Sequence, residues 1–159
     1  VSLVPDERPI LILGLGNVLM CDDGAGVHAL RDFAPPERSH AALRDGGTLG
    51  LTLLPEVEAC SGLIVFDAAM MGAAPGEVRR FVGAQMDAQL SGRKTSVHEL
   101  ALADLLAAAD LLGAKPERRA LIGVQPQRVD WGLEPTAAVA AALPAMRAAA
   151  CEIIGSWTS

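Results

Sequence analysis

Tyrosine is absent from this 159-residue chain, and its aromatic content is three Phe and two Trp. A core must therefore be aliphatic, mostly Ala and Leu, a composition that suits close packing of helices on a sheet. Cysteine is scarce too: Cys21, Cys60 and Cys151 are odd in number and lack a CxxC spacing, which argues against a disulfide framework. No apolar run reaches the ~20 residues of a membrane span, because Pro144, Arg147 and Glu152 break the Ala-rich tail. The n-region and h-region of a secretory signal are missing. Nor is there a basic surplus: 13 Lys and Arg against 19 Asp and Glu give a net charge of −6, which disfavours nucleic acid as the main partner. The expectation is a cytoplasmic protein, without membrane contact, folding as one domain over residues 1–159.

What is present alternates between strand and helix patterns. Residues 10–15 (ILILGL) and 62–70 (GLIVFDAAM) read as buried parallel strands, as does 119–126 (RALIGVQP). Residues 40–47 add a second strand, and 77–83 (EVRRFVG) an edge strand. Helices are expected over GAGVHALRDFA with Asp22 or Asp23 as its cap, over 49–60, over 97–113 ending at Gly113, and over 134–154 with an interruption near Pro144. Residues 86–96 (MDAQLSGRKTS) read as a polar loop. This order predicts an α/β fold: a three-layer sandwich with a mostly parallel sheet and helices on both faces. Segments 10–14, 63–66 and 121–124 should be its interior parallel strands.

In such sheets ligands bind beyond the carboxyl ends of the strands. Asp22 and Asp23 follow the first strand, Asp45 the second, and Asp67 ends the third. Caps and turns account for such acids one at a time, Asp22 above all, but the fold gathers three strand ends in one crevice. His98 opens a helix and completes an Asp23/Asp67/His98 set, whereas His28 and His40 read as surface residues. Mixed carboxylate and imidazole ligation suits a divalent transition metal with open positions. Gly14 and Gly16 invite a dinucleotide reading, but Leu19 stands where the third glycine of GxGxxG would fall, and a tight turn explains them better. There is no GxSxG elbow. Cys21 lies beside two acids that would raise its pKa, while Cys60 and Cys151 read as small core residues.

LILGLGNVLMCDDGAGV, RDGGTLG, LIVFDAA, HELALADLL and IGVQPQRVDWGLEPT, in that order, resemble the nickel–iron hydrogenase maturation endopeptidases, from Ile10 to Pro144. The resemblance implies a monomeric cytoplasmic protease of α/β fold, which removes a C-terminal extension from the hydrogenase large-subunit precursor after nickel insertion. The family's three metal-contacting positions correspond to Asp23, Asp67 and His98, the first being Glu in many members and Asp in others. Asp45, in the DGG loop, carries over as a recognition or catalytic residue. The nickel is implied to arrive with the substrate, so the isolated chain would bind metal weakly, with zinc or cadmium as possible surrogates.

A non-catalytic nickel-binding or docking protein for the same precursor is the alternative. The three ligands should come together where one cation can bridge them, with partly exposed side chains. Residues 125–133 (QPQRVDWGL) should lie at the crevice rim. There Trp131, beside Arg128, is either a docking residue for the precursor or a loop anchor packed on the last helix.

Overall fold

The computed structural model describes residues 7–47, 50–92 and 96–159. Its strands are β1 (Ile10–Leu15), β2 (Ala41–Gly47), β3 (Gly62–Ala68), β4 (Val78–Val82) and β5 (Arg119–Val124). They form one sheet in the order β2-β1-β3-β5-β4. The three apolar runs become its interior, paired in parallel, and the charged VRRFV segment becomes the single antiparallel edge strand.

Alternation along each strand divides the core in two. Ile10, Ile12, Ile64, Phe66 and Ile122 face α1 (Ala25–Arg31) and α5 (Ala137–Thr158). Leu11, Leu13, Leu63, Val65 and Leu121 face α2 (Leu54–Ala59), α3 (Ala84–Leu90) and α4 (Val97–Leu111). The expected three-layer sandwich is thus observed. The same alternation turns Asp67, two residues beyond Val65, towards the α4 side.

Four expectations need correction. Residues 86–90 of the expected polar loop belong to α3, because Met86 and Leu90, one helical turn apart, are both buried in the core. Residues 93–95 of that stretch, and residue 49 of the expected second helix, lie outside the described residues. That second helix begins as a 3-10 turn, Gly50–Leu53, before α2. The last helix runs unbroken for 22 residues, with Pro144 on its exposed side while Val139, Met146, Ala150 and Ile154 pack on the sheet. By length and hydropathy α5 could cross a membrane, but its apolar face here is core. Finally, neither Asp22 nor Asp23 caps the helix that follows: both lie inside a 3-10 turn, Cys21–Gly24, that leads into α1.

Candidate active site

The β1 end begins with close backbone packing. A Cβ on Gly16 would lie 1.9 Å from the Asp23 carbonyl, and one on Gly26 2.2 Å from the Phe66 carbonyl. Glycine at both positions is thus required by close approach of the chain to itself, in line with the tight-turn reading of Gly16. Cys21 then takes a positive φ of 48°, a conformation uncommon for a non-glycine residue. Beyond it the two adjacent acids have different partners.

Asp22 is fully buried and saturated with donors. Its Oδ2 accepts the N–H groups of Gln127 at 2.8 Å and Arg128 at 2.9 Å, and its Oδ1 that of Thr136 at 2.7 Å. The Thr136 hydroxyl lies 3.1 and 2.9 Å from the two oxygens. Burial pushes this carboxyl up, but the donated hydrogen bonds outweigh it and hold the pKa below the usual value. Asp22 therefore pins the loop after β5 and the first residue before α5. Backbone bonds from Cys21 to Gly132 (2.8 Å), Gly132 to Leu19 (2.9 Å) and Asp22 to Arg128 (3.1 Å) zip the same two segments together.

Asp23 faces the crevice. Its Oδ2 lies 2.7 Å from His98 Nε2 and accepts the Asn17 N–H at 3.1 Å. Both side chains retain some exposure, 16% for Asp23 and 9% for His98. Burial raises the Asp23 pKa, yet His98, by hydrogen bond and by charge, and the Asn17 N–H bring it below the ordinary value. His98 Nδ1 is buried with no partner among the described residues.

Asp67 is the opposite of Asp22. It is fully buried, and neither carboxyl oxygen has a hydrogen-bond partner among the described residues. Burial first, then the nearby charges of Glu99 and Asp23, push its pKa well above the usual range, against a lowering effect of the Ala68 N–H. The expectation that all three side chains would be partly exposed fails here, because the end of β3 lies beneath α4.

Sequence reasoning missed Glu99. It is 2% exposed, its Oε1 has no hydrogen-bond partner among the described residues, and burial pushes its carboxyl up to about 7 against the lowering effects of Ser96 and His98. A signal was present: Ser-x-x-Glu over 96–99 is a capping box, and the Ser96 Oγ does accept the Glu99 N–H at 3.2 Å. Read as a cap, Glu99 belongs on the surface. Only the placement of α4 over the end of β3 buries it.

The remaining candidates separate. Among the described residues no three His, Cys, Asp or Glu side chains stand close enough to hold a metal ion. The expected bridged triad is therefore open, with Asp23 and His98 bonded to each other and Asp67 behind them. Asp45 is exposed at the end of β2, where its Oδ1 accepts the Gly47 N–H at 3.0 Å. It lines a cleft of about 420 Å³ with Gly16, Asn17 and Leu19. His40 is exposed as expected, but His28 is half-buried, and its Nε2 has no hydrogen-bond partner among the described residues. Cys60 is buried, with its thiol pushed up to about 11 by burial, and Cys151 is half-buried. Trp131 is 74% exposed, so it does not anchor the loop on α5.

Comparisons with known proteins agree on one family. The family model described as hydrogenase maturation protease matches residues 27–153. The hydrogenase expression/formation protein HupD of Rhizobium leguminosarum bv. viciae is 38% identical over 156 residues, covering 96% of this chain and 77% of that protein. The hydrogenase 2 maturation protease of Escherichia coli is 34% identical over 134 residues, 80% of each chain. Among solved structures, the hydrogenase maturating endopeptidase HybD from E. coli superposes with a TM-score of 0.85, at 27% identity over 93% of each chain. The [NiFe] hydrogenase maturation protease HybD from Thermococcus kodakarensis gives a TM-score of 0.77 at 28% identity, over 92% of this chain and 99% of that one.

Proposed function

The chain belongs to the hydrogenase maturation protease family, and from that premise we propose that it removes the C-terminal extension of a nickel–iron hydrogenase large-subunit precursor once nickel is in place. Asp23, Asp67 and His98 contact the nickel that the precursor carries. The observation that supports this most lies at the strand ends: the two oxygens of buried Asp67, without a hydrogen-bond partner among the described residues, and the Asp23–His98 pair. Buried polar groups are normally satisfied, and unsatisfied ones mark a site awaiting a partner. Carboxylate and imidazole donors fit a borderline divalent cation such as nickel, and the set is too open to retain one tightly alone.

On this reading the nickel is part of the substrate. The charge of bound nickel would favour the ionised carboxyl of Asp67 as a ligand, against the burial that raises its pKa. Asp23, ionised already, keeps the His98 ring oriented. Nickel held there would polarise the scissile carbonyl; water supplies a hydroxyl to the carbonyl carbon and a proton to the leaving amine as the C–N bond breaks. Asp45, at the cleft beside Asn17, serves recognition of the precursor, and exposed Trp131 serves its docking. The chain acts as a cytoplasmic monomer with no nucleic-acid or membrane partner, and zinc or cadmium can stand in for nickel in the isolated protein. Incubation with nickel-loaded precursor tests the assignment. A shortened large subunit and a released C-terminal peptide are expected, whereas tight binding without cleavage would make the chain the non-catalytic docking protein.

A further inference from the structure

The two edges of the sheet differ. β4 is blunted by charge: Arg79 bridges to Glu77 at 2.6 Å, Arg80 pairs with Glu152 of α5, and α3 packs beside the strand. β2 bonds to β1 on one side, and among the described residues no strand or loop pairs with its other side. The register fixes which groups face outward there. Ile10, Ile12 and Gly14 stand opposite Ala41, Leu43 and Asp45, and the Ile10 N–H donates to the His40 carbonyl at 2.8 Å. In a parallel ladder the residues flanking each partner make the bonds, so 40, 42 and 44 are spent on β1. Ala41, Leu43 and Asp45 therefore turn their N–H and C=O groups away from the sheet. Leu43 is 40% exposed, and Arg44 and Asp45 are exposed as well. This edge ends at the candidate site: Asp45 and Asn17 line one cleft, and the Asn17 N–H donates to Asp23 Oδ2.

We propose that the outer edge of β2 binds the C-terminal extension of the precursor as an added strand, antiparallel to β2. The inference rests on the protease reading above and names how that substrate is held. Strand addition is a recurring way of binding an extended peptide, with affinity supplied by main-chain bonds. The direction follows from the geometry. The bond to be cut lies by Asp23 and His98, at the carboxyl ends of the strands, and the extension continues from it towards the precursor's C-terminus. Laid along β2, it can only run from Asp45 towards Ala41. Two strand spacings separate an added strand from β1, a gap of about 10 Å that about three extended residues cross. Beyond the gap, the extension exchanges N–H···O bonds with Asp45, Leu43 and Ala41, while its intervening residues face solvent. Backbone is thus read at every second position.

The test uses the folded protein and full-length, nickel-loaded precursor. Mass spectrometry of the peptide released by the wild type locates the cut, and Pro is then placed at successive positions of the extension beyond the gap. Proline has no N–H to donate, so KM is expected to rise at least tenfold at alternate positions, with kcat unchanged. On the protein, Leu43→Pro removes one outward N–H and spares the bonds to β1. Its KM should exceed that of Leu43→Ala, which keeps the N–H, at least tenfold at equal kcat. A proline scan without a period of two overturns the proposal. So does a Leu43→Pro protein that melts like the wild type and keeps the KM of Leu43→Ala. If Leu43→Pro does not fold, the proline scan, made entirely on the precursor, decides alone. A wild type that dimerises, and that Leu43→Pro turns into a monomer with unchanged KM, gives the edge to a second copy and overturns the proposal too. Failure of the wild type to cut any precursor would instead overturn the protease reading, and this inference with it.

Discussion

Asp22 and Asp67 are both fully buried aspartates at the carboxyl ends of neighbouring strands, yet they live in opposite surroundings. Asp22 collects donors from Gln127, Arg128 and Thr136, and its pKa is lowered. Neither oxygen of Asp67 has a hydrogen-bond partner among the described residues, and its pKa is raised by burial, with Glu99 and Asp23 adding like charge. On the proposed reading, the difference separates a structural acid from a metal-contacting one more sharply than burial does. A carboxylate whose lone pairs are spent on the backbone holds loops in place, and one whose lone pairs are free can bind an incoming cation.

That contrast breaks if the two acids respond alike to removal. The largest effect is expected at the functional one: Asp67→Ala, or His98→Ala, should reduce precursor processing at least a hundredfold, with a melting temperature no lower than that of the wild type. Processing at a normal rate by a folded Asp67→Ala protein would remove Asp67 from the site. Asp22→Ala should do the reverse, lowering unfolding stability by roughly 3 kcal/mol because several buried N–H groups lose their acceptor. Chemical denaturation measures it, and a loss below about 1 kcal/mol would mean that water replaces the carboxylate.

A smaller effect probes what Asp22 holds. Trp131 sits on the loop it pins, so Trp131→Ala should weaken precursor binding by about 2 kcal/mol, as at an interface hot spot, with Arg128→Ala costing less. Unchanged affinity with a lowered melting temperature would return Trp131 to a structural role.

The subtlest effect is a slope. Glu99 has a folded-state pKa of about 7 against an ordinary 4.5, so it keeps its proton longer when folded. Its contribution to stability is full below the ordinary value and fades as pH rises towards 7. The stability of wild type relative to Glu99→Gln should therefore fall over that interval, and parallel curves would contradict it. Asp22, with a lowered pKa, has the opposite sign: its contribution is present above 3.8 and is lost as pH falls through the depressed value.

Periodicity made the three central strands legible in the sequence, because segments buried on both faces must be apolar throughout. The edge strand was legible from its charges. Residues 86–90 were not, since two buried side chains in a polar stretch give too little period to identify a helix. Pro144 misled for a related reason: a proline on the wet side of a well-packed helix loses one hydrogen bond that water can replace. Asp23, Asp67 and His98 were nominated from strand ends and family resemblance, and the structure pairs Asp23 with His98 and buries Asp67; Asp22 was expected to be a cap, and instead it accepts hydrogen bonds from Gln127, Arg128 and Thr136. Glu99 was hidden because its local pattern has a complete explanation as a capping box, and only tertiary placement gives it a second role.

The most direct measurement compares nickel-loaded with nickel-free precursor, each incubated with the purified protein and followed by the mass of the large subunit. On the proposed account the carboxyl of Asp67, beside the Asp23–His98 pair, binds the substrate's own metal. The account predicts a shortened subunit from the loaded precursor alone, and none from either precursor with Asp67→Ala. Equal shortening of the nickel-free precursor would contradict it.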